Sequence, residues 1–213
     1  MPWFYYVGRL IVRMILLLLT RWQIKNRENI PSQGALLIVA NHLNLVDPPL
    51  LVVSLGRRVI FMAKKELFQS RVVGYFICGF GAFPVHRGQL DKKTMHQVHR
   101  LLDDGQALVM FPEGTRSKNA QLQSAFPGAA LIASRSGVPI VPVGISGTEK
   151  MKGMVWMLHR PRISVNIGHP FYLPPVNDKL TKVELAELTN SIMEHIAELL
   201  PPQYRGNYTG QGN

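Results

Sequence analysis

The segment NHLNLVD, residues 41–47, places a histidine and an aspartate five positions apart between two apolar runs, ALLIVA and PPLLVVSL. A neutral imidazole can remove a proton at physiological pH, and a carboxylate on its second nitrogen fixes the tautomer and stabilises the imidazolium. No regular element brings the two together. In a helix a five-residue step leaves His42 and Asp47 about 140° apart, and in a strand an odd step sends them to opposite faces. An irregular loop is needed, between a buried strand ending near Ala40 and a helix starting at Pro48 with Asp47 as its N-cap. No serine in a GxSxG turn and no suitably placed cysteine supplies a nucleophile, so the hydroxyl that His42 would activate belongs to a substrate. Taken alone, the motif is more simply a helix N-cap beside a hydrogen-bonded loop histidine, because the spacing arises by chance.

Two further loops add groups of the right kind. FPEGTRS, residues 111–117, sets Glu113, Gly114, Thr115 and Arg116 directly after a buried run. A guanidinium binds phosphate bidentately and neighbouring backbone NH groups share the anion. An internal Glu113–Arg116 pair is the alternative for this stretch. FPVHRG, residues 83–88, sets Arg87 just past another strand, where a lone arginine is commonly a solvated surface charge.

The elements that must position these loops follow from the pattern. ALLIVA (35–40), VIFMA (59–63), GAFPV (81–85), ALVMF (107–111), PIVPVGI (139–145) and RISVNIG (162–168) read as short buried strands. Between them come helical stretches: LLVVSL, a segment from about Glu66 to Ile77, KKTMHQVHRLLDDG and GAALIASRSG. Met95, Val98, Leu101 and Leu102 share one face of the third, with Gly105 just past its end. TKVELAELTNSIMEHIAELL is the clearest helix, with a Thr181–Glu184 capping box and a stripe of Leu185, Leu188, Ile192, Ile196 and Leu199. Strands alternating with helices imply an α/β fold, a largely parallel central sheet flanked by helices. Ligands bind such sheets outside the carboxyl ends of the strands, so parallel strands would put all three loops on one edge.

The chain has 213 residues, 46% of them apolar, enough for one domain with a core. Its single cysteine, Cys78, excludes an internal disulfide and reads as a small apolar core residue. A net charge of +11 asks for an anionic partner: nucleic acid, an anionic membrane or a phosphorylated substrate. The basic residues are scattered and no recognition-helix or RNP-like motif accompanies them, which argues against nucleic acid. His86, His96 and His99 form no metal-ligand set. The first 25 residues are apolar and aromatic, with Arg9, Arg13, Arg21 and Lys25 spread through them and Trp3 and Trp22 near the ends. The charge-free run from Met14 to Thr20 is too short to span a bilayer, and no cleavage site follows. An amphipathic membrane-associating helical segment over residues 1–28, lying in the interface with its arginines reaching the headgroups, fits best. A single span and a docking helix are the other readings. Residues 29–205 form the α/β domain and 206–213 a frayed polar tail.

Three loops of this kind, each after a strand, resemble the 1-acylglycerol-3-phosphate (lysophosphatidate) acyltransferase family. NHLNLVD matches its histidine-to-aspartate block, GAFPVHR its second, FPEGTRS its third and VPIVPVGI its fourth, over about Gly34 to Ser146. His86 stands where the second block often has an acidic or polar residue. The resemblance implies acylation of the sn-2 hydroxyl of lysophosphatidate, giving phosphatidic acid. His42 would be the general base and Asp47 would orient it. Arg87, Glu113 and Arg116 would hold the glycerol phosphate, with Gly114 and Thr115 shaping that pocket. The donor would be an acyl-CoA or acyl carrier protein thioester, with no metal or other cofactor. Another lysolipid, glycerol 3-phosphate or an aminolipid precursor is the alternative acceptor, and a non-catalytic basic binding protein the alternative of another class. The implied partner is a phospholipid bilayer, and the implied place the cytoplasmic face of the cell membrane.

Overall fold

The computed structural model describes residues 2–85, 91–174 and 180–208. Its strands are β1 (Arg21–Lys25), β2 (Leu36–Ala40), β3 (Val59–Lys64), β4 (Ala82–Val85), β5 (Ala107–Met110), β6 (Ile140–Ser146) and β7 (Arg162–Ile167). The helices are α1 (Pro2–Leu19), α2 (Asp47–Ser54), α3 (Arg71–Gly79), α4 (Lys92–Asp103), α5 (Gly128–Ser136), α6 (Trp156–His159) and α7 (Lys182–Glu198).

All seven strands join one sheet in the order β1-β7-β6-β2-β5-β3-β4. Strands β2 to β6 run parallel to one another. β7 lies antiparallel to β6, and β1 pairs parallel with β7, so two strands oppose the other five. The expected α/β fold with a largely parallel sheet is the fold observed.

Alternation along β2 shows why the sheet is covered twice. Leu36, Ile38 and Ala40 pack on one face with Leu50, Leu51 and Val53 of α2, with Leu55 just past its end, and with Tyr5 and Leu16 of α1. Leu37 and Val39 pack on the other with Val98 of α4, Ile132 of α5 and Ile192 and Ile196 of α7. A strand buried on both faces has to be apolar throughout, hence the unbroken LLIVA run. The Thr181–Glu184 capping box forms and starts α7 as its sequence requires.

Four expectations are corrected. The N-terminal helix ends at Leu19, well before residue 28, and Arg21–Lys25 pairs with Arg162–Asn166 as an edge strand. RWQIK has the period of a strand: Trp22 and Ile24 face the core while their neighbours are exposed. Cys78 is exposed rather than buried, because α3 turns much of its surface outward. Residues 206–208 of the supposed tail form a 3-10 turn, and Tyr208 packs against the α4–α5–α7 side of the core; residues 209–213 lie outside the described residues.

α1 rests on α2 through Tyr5 and Leu16, while Trp3, Tyr6, Leu10, Ile11, Met14, Leu17 and Leu18 stay exposed. No helix among the described residues is long and apolar enough to cross a membrane.

Because β2 to β6 are parallel, the segments after Ala40, Met110 and Ser146 emerge on one edge, as does the end of β4 that leads to Arg87. The turn after β6 depends on Gly147. Its φ is +93°, and a Cβ there would run into the carbonyl oxygen of Arg162. Backbone cannot withdraw as a flexible side chain can, so Gly147→Ala is expected to lower unfolding free energy by more than about 2 kcal/mol, read by urea denaturation.

Candidate active site

The loop after β2 is built around Asp47. Its side chain is 0% exposed, and its carboxylate accepts four hydrogen bonds. His42 Nδ1 lies 2.8 Å from Oδ2, the amides of Leu43 and Asn44 donate to Oδ2 at 2.6 and 2.7 Å, and Thr148 Oγ1 donates to Oδ1 at 2.7 Å. The other three partners are donors, so Asp47 acts as acceptor only and the proton on that side of the imidazole sits on Nδ1. This leaves Nε2 for an incoming hydroxyl. The His42 ring stacks on Phe111 with centroids 4.2 Å apart, which fixes its plane.

Asp47 is not the N-cap that its position before two prolines predicts. It occupies the first position of α2, Val46 is the cap, and the Asp47 carboxylate turns back onto the preceding loop. The loop closes because Asp47 accepts from residues three and four positions earlier rather than from the helix that follows.

Both neighbours of β2 brace this loop. From the β6 side, the Asn41 amide exchanges two bonds with the backbone of Ile145, at 2.7 and 2.8 Å. Asn44 Nδ2 donates to the carbonyls of Thr148 and Met151. The turn carrying Thr148 is tied down in its own right. Glu149 accepts from the Gly147 amide and from the Tyr204 hydroxyl, whose pKa burial and the Glu149 carboxylate push up to about 12.

From the β5 side comes Glu113, 2% exposed. Its two oxygens accept from the amides of His42 and Gln123 at 2.8 and 2.9 Å, and the Ser117 amide donates to the His42 carbonyl at 2.8 Å. Burial raises the Glu113 pKa to about 7; the two amides oppose the rise and the negative charge of Asp47 adds to it. Glu113 therefore braces the histidine loop from within. With both oxygens taken by those amides, it is not free to join Arg116 as a phosphate ligand.

Next to His42 opens a cavity of about 760 Å³. Thr115, Arg116 and Lys64 supply its polar lining, and residues including Phe61, Phe76, Phe80 and Leu131 supply apolar walls. Gly114 shapes the rim: its φ is +65°, and a Cβ there would lie 2.7 Å from the Phe126 ring. His42, Gly114, Thr115 and Arg116 thus share one cavity, with Asp47 and Glu113 behind it. Arg87, expected beside them, lies outside the described residues. The PIVPVGI strand is buried in the sheet as β6 and serves packing.

Residues 21–146 match the family described as Acyltransferase. The 1-acyl-sn-glycerol-3-phosphate acyltransferase of Bacillus subtilis (strain 168) is 30% identical over 194 residues, covering 88% of this chain and 92% of that protein. This chain belongs to the acyltransferase family. A Streptococcus pneumoniae protein of the same name is 32% identical over 177 residues, covering 82% of this chain and 64% of its own. The crystal structure of the 1-acyl-sn-glycerophosphate (LPA) acyltransferase PlsC from Thermotoga maritima superimposes with a TM-score of 0.68 at 25% identity, covering 93% of this chain and 77% of that one.

In this acyltransferase, sequence reasoning missed Asn41 and Thr148 as parts of the site. Asn41 stood inside the quoted motif and carried a signal, a buried amide at a strand end. Thr148 lies 101 residues from Asp47 in the chain and carried none.

Thr148→Val leaves one Asp47 lone pair unfilled in a buried place, so kcat is expected to fall about tenfold with KM nearly unchanged, and Thr148→Ser to restore it. Glu113 binds its proton more tightly folded than unfolded, so its contribution to stability is full below the ordinary value of 4.5 and is lost as pH rises through about 7. The melting temperature of the wild type relative to Glu113→Gln is therefore expected to drop across that window; a constant difference would contradict the assignment.

Proposed function

We propose that this acyltransferase moves a fatty acyl group from an acyl thioester to the sn-2 hydroxyl of lysophosphatidate, giving phosphatidic acid. The observation that carries this reading is a histidine–aspartate pair opening into a cavity that is cationic at one rim and apolar along its walls. Each part has a counterpart in the substrates: a hydroxyl to deprotonate, a phosphate to hold and an acyl chain to bury.

His42 Nε2 takes the hydroxyl proton as the oxygen attacks the thioester carbonyl, and Asp47 stabilises the resulting imidazolium. Collapse of the tetrahedral intermediate breaks the carbon–sulfur bond. The proton on His42 then passes to the departing thiolate, which restores the neutral imidazole. Arg116 holds the acceptor phosphate, with Thr115 beside it; Arg87, directly after β4, is the second proposed contact. The apolar walls take an acyl chain out of water, at about 0.8 kcal/mol per buried CH₂. No further cofactor enters the scheme, and both acyl-CoA and acyl carrier protein fit it as donors.

Lipid substrates place the enzyme at a bilayer. The exposed apolar face of α1 and the exposed Val72 and Tyr75 of α3 support this, together with the net charge of +11, which favours the anionic cytoplasmic leaflet. The reading is a monotopic association, with α1 lying along the surface.

The test is phosphatidic acid formation by the purified protein in detergent micelles, from lysophosphatidate and a long-chain acyl-CoA or acyl carrier protein donor. His42→Ala is expected to lower kcat by about 10²- to 10⁴-fold. Arg116→Ala is expected to raise KM for lysophosphatidate while leaving the KM of a monoacylglycerol acceptor, which has no phosphate, unchanged. A folded His42→Ala protein with near-normal turnover would sink the mechanism.

A further inference from the structure

A second cavity, of about 590 Å³, lies on the same sheet edge as the catalytic loop, displaced toward β7 and β1. Among its lining residues are Arg21, Lys150, Lys152, Arg160 and Arg162. All five are exposed, and no described carboxylate forms an ion pair with any of them. Like charges gathered in one concavity repel one another, which disfavours the fold unless an anion enters. Arg160 also serves the fold locally, since its Nη2 donates to the Leu17 and Thr20 carbonyls at 3.1 and 3.4 Å and so caps the carboxyl end of α1.

The flank of the cavity is apolar. Met154, Val155 and Leu158, in and beside α6, are 77, 62 and 85% exposed. The Arg160 bonds join this stretch to the end of α1, where Leu17 and Leu18 are exposed as well. Aliphatic side chains standing out beside a cluster of unneutralised cations match the two layers of a bilayer surface, hydrocarbon below and phosphate above.

We propose that this cavity binds the phosphate headgroups of anionic phospholipids while Met154, Val155 and Leu158 enter the acyl layer, making residues 150–162 a second membrane contact beside α1. The proposal rests on the reading of the enzyme as membrane-borne. A soluble polyanion, such as the nucleotide of an acyl-CoA donor, would satisfy the cations and leave the aliphatic side chains unexplained.

The test is co-sedimentation of the full-length protein with phosphatidylcholine vesicles, with and without phosphatidylglycerol. The triple variant Lys150→Gln/Lys152→Gln/Arg162→Gln is expected to bind anionic vesicles at least about tenfold more weakly than the wild type. Lys92→Gln/Lys93→Gln/Arg100→Gln removes as many charges from α4, on the opposite face of the sheet, and is expected to keep nearly all the binding. The conservative Lys150→Arg/Lys152→Arg protein is expected to bind as the wild type does, and melting curves confirm that each variant is folded. Equal losses in the two triple variants would reduce the cavity to bulk charge and overturn the proposal. So would unchanged vesicle binding in the first triple variant, including the case where only its KM for acyl-CoA in micelles rises, which would assign the cavity to the donor. Vesicle binding is read without turnover, so a failure of the proposed reaction and a failure of this site are separately visible.

Discussion

The arrangement of this protein around its site depends on one buried carboxylate. Among the described residues no arginine or lysine pairs with Asp47; its carboxylate is met by three neutral donors and the His42 imidazole. Burying a carboxylate costs several kcal/mol unless its lone pairs are filled, so the chain must deliver each donor. Two amides can point at one oxygen only if the loop turns tightly at Leu43 and Asn44. That turn in turn sets His42 where its ring meets Phe111 and borders the large cavity. The orientation of His42, the proposed base, is a consequence of how the carboxylate behind it is satisfied.

Strand order explains why this loop is held so firmly. β2 lies between β6 and β5, and each neighbour continues past its last sheet residue into a segment that reaches the loop. β6 contributes the Ile145 backbone and Thr148; β5 contributes Glu113 and Ser117. A loop on an edge strand would have one such neighbour. Glu113 also shows a second solution to the same problem, a buried carboxylate met by backbone amides. Burial raises its pKa, and the two amides offset that rise only in part.

Much of this was legible in the sequence because the physics was local. Six of the seven strands are short apolar runs, and α7 carries its cap and its stripe within one segment. The requirement that His42 and Asp47 meet in a loop followed from helix and strand geometry alone. What was not legible depended on partners far along the chain. β1 is five residues whose alternation is brief and whose neighbour is a long apolar helix, so the helical signal swallowed it. Glu113 carries a motif position that reads as a ligand; only the amides of His42 and Gln123 around it show a brace. An aspartate before Pro-Pro is an ordinary cap, which points Asp47 at the helix it starts, yet the loop behind it offered more donors.

The same segment that completes the Asp47 shell leads directly to the surface proposed to face the membrane. Thr148 donates to the Asp47 carboxylate, Lys150 lines the basic cavity, and Met154 to Leu158 carry the exposed aliphatic groups. Eleven residues, 148–158, therefore run from the Asp47 partner to the groups assigned to lipid, with Asn44 fastened to the carbonyls of Thr148 and Met151 within them. A lipid acceptor does not leave the bilayer easily, because each CH₂ drawn into water costs about 0.8 kcal/mol. An enzyme acting on it gains by holding its base at a fixed height above the headgroups. Tying the proposed surface contact and the His42 loop to one short, braced connection would achieve this with no moving part, since the height would be set by bonds that the fold has already made.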